Sequence, residues 1–241
     1  MNRFFDQFPA FYASPVSAHP NRLHQRYRAI IEPNRAALAG AKVLDIGAHD
    51  GRWSFAALHA GAEHVTMIEP RPSAMTMART RFAEYSVPCN RFTIIQEDVS
   101  HLAGWIAGQR FDVVLLLGFL YHTGDHLRLM EAINASDPSI VVIDSEIVDD
   151  AEAVIRYRVE QDQDERCAFA CGQSVITGTP SAGMIDMMLT HCGFRVFRFN
   201  WSRRCDDWQA VGDYQQHLRM TVTGRRERHQ LAQTCNGGRQ A

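Results

Sequence analysis

Three acidic residues stand at or just after the carboxyl ends of three predicted strands, and they are the strongest chemical signal in this sequence. Two apolar runs are closed by Asp45 and Glu69, and Asp98 follows a third. Because the carboxyl ends of parallel strands meet along one edge of a sheet, the three carboxylates are expected to face one ligand. A carboxylate accepts hydrogen bonds, so one can bind both hydroxyls of a ribose and another the amino group of adenine. The pattern therefore predicts an adenosine site.

The chain after the first strand indicates which adenosine compound fits, because it reads Gly47-Ala48-His49-Asp50-Gly51. A dinucleotide favours the spacing G-x-G-x-x-G and a bare helix N-terminus for its pyrophosphate. The spacing here is different, and Asp45 and Asp50 would repel a pyrophosphate. Gly47 and Gly51 are expected to let the backbone approach a ligand closely. A ligand with a cationic end and no phosphate suits this turn better, which predicts S-adenosyl-L-methionine (S-adenosylmethionine) as the cofactor.

Alternating strands and helices are expected to position these residues. Near-continuous apolar runs predict parallel strands buried on both faces, at Lys42–Ile46, Val65–Ile68, Phe92–Gln96, Phe111–Leu117 and Ile140–Ile147. Helices are predicted from Asn21 or Pro20 to about Leu38, and at Arg52–Ala60, Ser73–Tyr85 and Asp125–Asn134. Two further strands, Phe194–Phe199 and Leu218–Thr223, lack a crossover helix between them. The predicted fold is α/β, a doubly wound and mostly parallel seven-stranded sheet with an antiparallel C-terminal hairpin.

With these motifs the chain resembles the class I S-adenosylmethionine-dependent methyltransferases over about residues 40–223. The resemblance implies that the turn after the first strand holds the amino-acid tail of the cofactor. It also implies that Glu69 binds the ribose, that Asp98 with Val99 contacts adenine, and that the fourth strand ends at the rim of the active site. The implied cofactor-binding residues are Asp45, Gly47, Ala48, His49, Gly51, Glu69, Pro70, Asp98, Val99 and Gly118. The family usually has glycine where His49 stands.

Three short motifs resemble one group within that family, which includes the carboxymethyl transferase that acts on the wobble uridine of tRNA. They are Gly118-Phe-Leu-Tyr-His122, Thr179-Pro-Ser-Ala182 and Cys192-Gly-Phe194. That group uses a carboxylated form of the same cofactor. This chain has a net charge of −2 and a single lysine, Lys42, so it lacks the basic surface that normally supplies RNA affinity. Nucleic acid is therefore not the expected partner.

Two residues just past the fourth strand, Tyr121 and His122, are the catalytic candidates. Methyl transfer is an in-line displacement that depends mostly on alignment and exclusion of water. A protein base is needed only for a poor nucleophile such as a sugar hydroxyl. His122 suits that task because imidazole titrates near neutral pH, and its alternative role is a structural hydrogen bond. Tyr121 either contacts the sulfonium or the acceptor, or packs under the loop.

Several neighbouring residues have a structural interpretation beside a functional one. Asp50 is predicted to cap the helix that begins at Arg52, and Trp53 is predicted to lie in the core. Arg22 and Arg26 are predicted to lie on a solvated helix face, with an ion pair to the cofactor carboxylate as the alternative. A divalent metal is the less favoured interpretation of one acidic group, Asp144, Glu146, Asp149 and Asp150.

Composition places these elements in one domain and favours the cytoplasm. The chain has 241 residues, 46% of them hydrophobic, and divides into an arm and helix at 1–39, a cofactor-binding domain at 40–223 with an insertion at about 149–180, and a tail at 224–241. Six scattered cysteines suggest a reducing compartment rather than disulfides or zinc. No secretory signal or membrane span is evident, because the longest apolar run ends at Tyr121 after only nine residues. A homodimer is compatible with the sequence.

Three functions remain open at this stage. The favoured one is methylation of a small molecule, such as a sugar or natural-product hydroxyl. The second is methyl or carboxymethyl transfer to tRNA or another RNA, with a phosphate footprint formed by Arg219, Arg225, Arg226 and Arg228. The third is a protein that binds the cofactor without turnover.

Overall fold

A computed structural model describes residues 3–14, 16, 19–97, 101–106, 108–160 and 174–226. Within those ranges, a seven-stranded sheet has the order β3-β2-β1-β4-β5-β9-β8, and β6 pairs with β7 in a separate hairpin. The strands are β1 Lys42–Ile46, β2 His64–Ile68, β3 Phe92–Ile95, β4 Val113–Leu117, β5 Ile140–Glu146, β6 Ile155–Glu160, β7 Val175–Pro180, β8 Arg195–Arg198 and β9 Arg219–Arg225.

Strand direction confirms the fold class predicted from the sequence. Strands β1 to β5 are parallel to one another, whereas β9 runs antiparallel to both β5 and β8. The strand order reverses between β1 and β4, which creates a crevice at the carboxyl ends of these two strands. Ligands of open α/β sheets bind at such a switch point.

Helices cover both faces of the sheet. They are α1 Pro20–Ile30, α2 Arg35–Leu38, α3 Arg52–His59, α4 Pro72–Glu84, α5 Leu102–Ile106, α6 His126–Ala135, α7 Ala182–His191, α8 Trp201–Arg204 and α9 Gly212–Gln215. Alternate residues of one strand enter opposite cores, so Leu115 packs with α3 and the N-terminal arm while Leu116 packs with α5, α6 and α7. No helix in the described ranges is long and apolar enough to cross a membrane.

The N-terminal arm belongs to the core of the domain. Phe5 and Phe11 are fully buried. Phe4 stacks on Tyr27 with ring centroids 4.6 Å apart, and Phe5 meets Trp53 edge-on at 5.8 Å. These aromatic contacts attach the arm to α1 and α3. Trp53 is a core residue, as predicted.

The structure differs from the sequence-based assignment in one long helix, in the short unpredicted helices α5, α8 and α9, and in one hairpin. The helix predicted from Asn21 to Leu38 is interrupted after Ile30, because Pro33 lacks the N–H that a helix interior needs and restricts the residue before it. Helix α5 was not predicted. Neither was the β6–β7 hairpin, which occupies part of the insertion at 149–180. Elsewhere, the strand ends differ from prediction by one or two residues.

Candidate active site

The turn after β1 lies in the crevice at the switch point. The backbone N–H groups of Gly47 and Ala48 donate to the carbonyl of Ile68 at 2.9 and 3.1 Å, which ties the turn to the end of β2. Gly47 has a φ of +72°, and a Cβ there would lie 2.9 Å from the ring of Phe119. Only glycine therefore lets this turn pack against the segment that follows β4. The turn thereby joins the ends of β1, β2 and β4.

Gly51 faces the core, so its lack of a side chain serves packing. Its φ is +74°, and a Cβ would lie 2.9 Å from Phe82 and 3.2 Å from Ala78, both on α4. From the sequence, Gly51 is expected to let the backbone approach the ligand closely. The contacts instead explain it by the packing of α3 against α4.

Substitution of Gly51 by alanine is expected to cost about 2–3 kcal/mol of unfolding free energy, from positive-φ strain together with overpacking. Gly40 is the matched control, because its φ is +73° and nothing lies within 4 Å of its Cβ position. Gly40→Ala should therefore show the strain alone, at about 1 kcal/mol. Urea unfolding of both variants measures the difference. Equal losses of unfolding free energy in Gly51→Ala and Gly40→Ala would contradict the contact with Phe82.

Asp50 is the centre of a buried ion cluster. Its carboxylate accepts bonds from Arg52 Nε at 2.8 Å and Nη2 at 2.7 Å, and it is also bound by Nη1 of Arg81. Burial opposes ionisation, but the positive charge of Arg52 and the hydrogen bonds from His49 and Arg52 hold the pKa of Asp50 well below its usual value.

The predicted capping role of Asp50 is therefore wrong. The N-cap of α3 is Gly51, with no side-chain capping bond, and Asp50 receives only a 3.3 Å bond from the Arg52 N–H. The Asp50 carboxylate instead joins α3 to Arg81 of α4. Because two arginines neutralise it, Asp50 no longer supports the argument that acids in this turn repel a pyrophosphate.

Asp45 is buried at the end of β1, where the hydroxyl of Ser54 donates to its carboxylate at 2.6 Å. Burial raises the pKa of Asp45 to about 7, although the bond from Ser54 lowers it. The carboxyl group is therefore partly protonated at neutral pH. A cation arriving beside it would favour the ionised form.

The protonation of Asp45 should make folding stability depend on pH. Its pKa in the native state is about 7 against 3.8 for a solvated aspartate, so the native state retains a proton that the unfolded chain releases. The Asp45 contribution is complete below about pH 4 and is lost as pH rises to about 7, at about 1.4 kcal/mol for each pKa unit. Asp45→Asn should remove this loss. Urea unfolding at pH 5, 6, 7 and 8 compares the two proteins, and parallel profiles would refute the assignment.

Glu69 closes β2 and is almost fully buried. Its Oε2 accepts the backbone N–H of His49 at 2.9 Å, and Arg71 donates from Nε to Oε1 at 2.7 Å and from Nη2 to Oε2 at 3.0 Å. His49 has a φ of +52°, a left-handed conformation that histidine tolerates better than most residues. This explains how histidine occupies a position where the family usually has glycine.

The structure brings most of the predicted cofactor residues to one edge. Glu69 is bonded to His49, and Gly47 and Ala48 are bonded to the end of β2. The carbonyl of Pro70, beside Glu69, accepts from Gln96 Nε2 at 3.4 Å, which links β2 to the residue after β3. Asp98 and Val99 lie outside the described residues, so their adenine contact stays a prediction.

Gly118, Tyr121 and His122 follow β4 at the same edge. The N–H of Gly118 donates to the carbonyl of Asp144 at 2.7 Å. The rings of Tyr121 and His122 have centroids 4.3 Å apart. Nδ1 of His122 lies 3.4 Å from Oε2 of Glu160, a residue of the unpredicted hairpin. Burial lowers the pKa of His122, partly offset by Glu160, so the imidazole is neutral at pH 7.

Asp144 occupies a second buried cluster at the end of β5. Its carboxylate accepts from four side chains: Arg26 at 3.0 Å, Tyr214 at 2.7 Å, Arg219 at 2.8 Å and Thr221 at 2.6 Å. These donors occupy the carboxylate oxygens that a metal ion would have to bind, so Asp144 is not a metal ligand in this arrangement. Among the described residues no group of three or more His, Cys, Asp and Glu could hold a metal ion.

Several arginines have partners that differ from the roles expected from the sequence. Arg26 is buried rather than solvated, and Arg22 is half-buried in a two-point bond with Asp213, at 2.8 and 2.6 Å. Arg219 is buried against Asp144, so it cannot belong to a phosphate footprint. Arg226 is bonded to Asp137 and Asn134. Arg228 lies beyond the part of the chain that the structure describes.

Comparison with known proteins agrees with this geometry. Residues 43–136 match the family described as "Methyltransferase domain". A tRNA U34 carboxymethyltransferase of Campylobacter hominis is 31% identical over 101 residues, which cover 41% of this chain and 33% of that protein. The chain thus spans about a third of the length of this curated relative.

Solved structures share the fold. The N-terminal domain of EvdMO1 with S-adenosylhomocysteine bound gives a TM-score of 0.63 at 16% identity, covering 86% of this chain and 81% of that one. An S-adenosylmethionine-dependent methyltransferase of Mesorhizobium loti gives 0.57 at 17% identity, covering 80% and 96%. The glycopeptide N-methyltransferase MtfA complexed with S-adenosylmethionine gives 0.53 at 16%, covering 86% and 94%.

The sheet order, the antiparallel hairpin and the matched family model define a class I methyltransferase fold. Residues 43–136 match a methyltransferase domain, and the described fold is that of solved S-adenosylmethionine-dependent methyltransferases, as the motifs predicted. The cofactor of that family is S-adenosylmethionine, which two of the solved structures contain as itself or as S-adenosylhomocysteine.

Proposed function

We propose that this protein methylates a hydroxyl group of a small molecule, such as a sugar or a natural product. The observation that carries the proposal is the position and charge state of His122. The imidazole lies at the edge where the cofactor turn lies, and burial keeps it neutral at pH 7. A neutral imidazole can accept the proton of a hydroxyl, which is a poor nucleophile without a base.

The residues at the crevice fit the cofactor. Glu69 already accepts donors on both carboxylate oxygens, from His49 and Arg71, and two ribose hydroxyls are donors of the same kind. The Arg71 side chain would give up its bonds as the ribose binds. The turn at Gly47 and Ala48 would hold the amino-acid tail next to Asp45. When bound, S-adenosylmethionine supplies an electrophilic methyl group.

The rest of the edge would hold and activate the acceptor. Gly118 lies at the rim with a φ of +87°, and its Cβ position is 3.4 Å from Nη2 of Arg219 and 3.6 Å from the hydroxyl of Tyr121. Tyr121 would form the wall beside the acceptor, and His122 would take its proton. Glu160 beside Nδ1 would stabilise the imidazolium that results.

A small acceptor is favoured over RNA by the state of the arginines. Arg219 and Arg226 form ion pairs with Asp144 and Asp137, so two of the three footprint arginines that the structure describes are neutralised. The third, Arg225, is exposed and bonds the carbonyl of Pro33 and the amide oxygen of Asn34. Two related folds support a sugar-bearing acceptor. EvdMO1 was crystallised in the presence of D-fucose, and MtfA is a glycopeptide N-methyltransferase.

Transfer of a radioactive methyl group tests the proposal. The protein is incubated with S-adenosyl-[methyl-³H]methionine and either a panel of glycosides and hydroxylated aglycones or bulk tRNA. Label on a hydroxyl of a small molecule is the expected result. Label on tRNA alone would overturn it in favour of RNA modification, which the Campylobacter relative supports. Cofactor binding with no transfer to either would favour a non-catalytic binding protein.

We also infer a cytoplasmic location and leave the homodimer as a prediction. In the described residues Cys89, Cys192 and Cys205 are free thiols, which suits a reducing compartment. Size-exclusion chromatography with light scattering tests the dimer, and a monomer mass at micromolar concentration would exclude it.

A further inference from the structure

A second cleft opens at the same edge of the sheet as the cofactor turn. It has a volume of about 740 Å³ and lies over the end of β5 and the start of β9. Because β9 is antiparallel to β5, Arg219 at its start pairs with Glu146 at the end of β5. The cleft therefore lies on the side of the sheet edge where an acceptor would approach the active-site rim. Its volume is sufficient for a ligand of small-molecule size.

The walls of this cleft are rich in aromatic rings. Trp201 and Tyr214 lie 3.9 Å apart between ring centroids, and Phe199 meets Trp201 edge-on at 5.0 Å. Trp208 is half-buried and also lines the cleft. Flat apolar rings with polar groups at their edges suit a ligand that has one apolar face and many hydroxyls.

Trp201 also carries an unused hydrogen-bond donor. The residue is 7% exposed, and its buried Nε1 has no hydrogen-bond partner in the structure. Buried indole N–H groups normally have a partner, and protein atoms cover this one, so it is paired only when a ligand acceptor enters from the cleft and displaces those atoms. A hydroxyl or ring oxygen of a sugar is such an acceptor.

The charges around the cleft exclude an acidic ligand. Asp149 and Asp150 are exposed on its lining, and neither has an ion pair with a residue that the structure describes. The two lining arginines have carboxylate partners, Arg198 with Asp186 at 2.5 Å and Arg219 with Asp144 at 2.8 Å and Glu146 at 3.5 Å. The lining thus has free negative charge, whose carboxylates can accept bonds from sugar hydroxyls.

We propose that this cleft binds a glycosyl group without an acidic substituent, with Trp201 and Trp208 as its aromatic walls and Asp149 and Asp150 as hydroxyl acceptors. The inference rests on the proposed function, since it supplies the non-reacting part of the acceptor. The guanidinium of Arg219 connects the two regions, because it lines the cleft and lies 5.5 Å from the centre of the Tyr121 ring.

Saturation-transfer difference NMR tests the site without requiring methyl transfer. The probe is p-nitrophenyl β-D-glucopyranoside, and p-nitrophenyl β-D-glucuronide is the acidic comparison. Trp201→Phe keeps a ring and removes the N–H, and it should weaken glucoside binding about fivefold. Trp208→Ala should weaken it about tenfold. Trp105→Phe, a substitution of the same kind on α5, is the matched control and should change nothing.

The outcomes separate this inference from the proposed function. Three results together would support the site. Saturation transfer should reach the sugar protons of the glucoside and be weaker for the glucuronide. It should also be lost in the Trp201 and Trp208 variants but not in Trp105→Phe. Equal saturation transfer in the wild type and the three variants, or no saturation transfer at millimolar glucoside, would overturn the proposal. Thermal melts of each variant exclude unfolding as the cause. Glucoside binding without methylation of any hydroxyl would leave the site standing and reject the proposed function.

Discussion

Replacing Asp144 by asparagine is expected to lower the free energy of unfolding by about 3–5 kcal/mol, because two buried arginines lose their counter-charge. Arg26 and Arg219 both contact the carboxylate, and each is at most 6% exposed. Asparagine keeps the shape of the side chain but leaves the two like charges close together in a medium of low dielectric. Urea unfolding at pH 7 measures the loss.

Asp137 provides a matched control on the surface. It too is bound by two arginines, Arg110 at 2.8 Å and Arg226 at 2.6 Å, but its side chain is 59% exposed. Water screens this cluster, so Asp137→Asn should cost about 1 kcal/mol or less. If the two substitutions cost the same, the Asp144 cluster does not hold the arm helix α1 to the sheet.

Replacing His122 by glutamine is expected to lower kcat by about 10²–10⁴-fold while the Kd for S-adenosylmethionine stays the same. Glutamine keeps a hydrogen-bonding group but cannot accept the hydroxyl proton. Because burial lowers the pKa of His122 from 6.5, wild-type kcat/KM should rise with pH and reach a plateau by neutral pH. Labelled methyl transfer to the acceptor found by screening, across a range of pH, measures both effects.

His64→Gln is the control for this substitution. His64 lies at the amino end of β2, away from the site, where its ring nitrogens bond the carbonyl of Asn90 and the hydroxyl of Thr93. The turnover of the His64→Gln variant should match that of the wild type. Undiminished turnover in His122→Gln would remove His122 from the mechanism and leave alignment as the source of catalysis.

The sheet could be predicted from the sequence because its strands carry a strong local signal. Strand β4 is apolar at every position, as a strand covered on both faces requires, and Glu69 follows β2 directly. The β6–β7 hairpin escaped prediction because it is mostly exposed: Arg156 and Arg158 point outward beside apolar residues such as Val159. Helix α5 has only five residues, too short for a helical period to show.

The buried ion clusters could not be predicted because their partners are distant in sequence. Arg26 and Asp144 are 118 residues apart, and Arg81 and Asp50 are 31 apart. Nothing in the spacing of those residues distinguishes an arginine on a buried face from one on a solvated face. The shared location of the cofactor-edge residues was easier to predict, because each follows a predicted strand and the carboxyl ends of parallel strands meet at one edge of the sheet.

The central claim is that the crevice at Gly47 and Glu69 binds S-adenosylmethionine. Isothermal titration calorimetry with S-adenosylmethionine, S-adenosylhomocysteine and NAD tests it most directly. Both sulfur compounds should bind, NAD should not, and Glu69→Ala should weaken S-adenosylmethionine at least tenfold through the loss of its ribose hydrogen bonds. Binding of NAD with no heat from either sulfur compound would contradict the account.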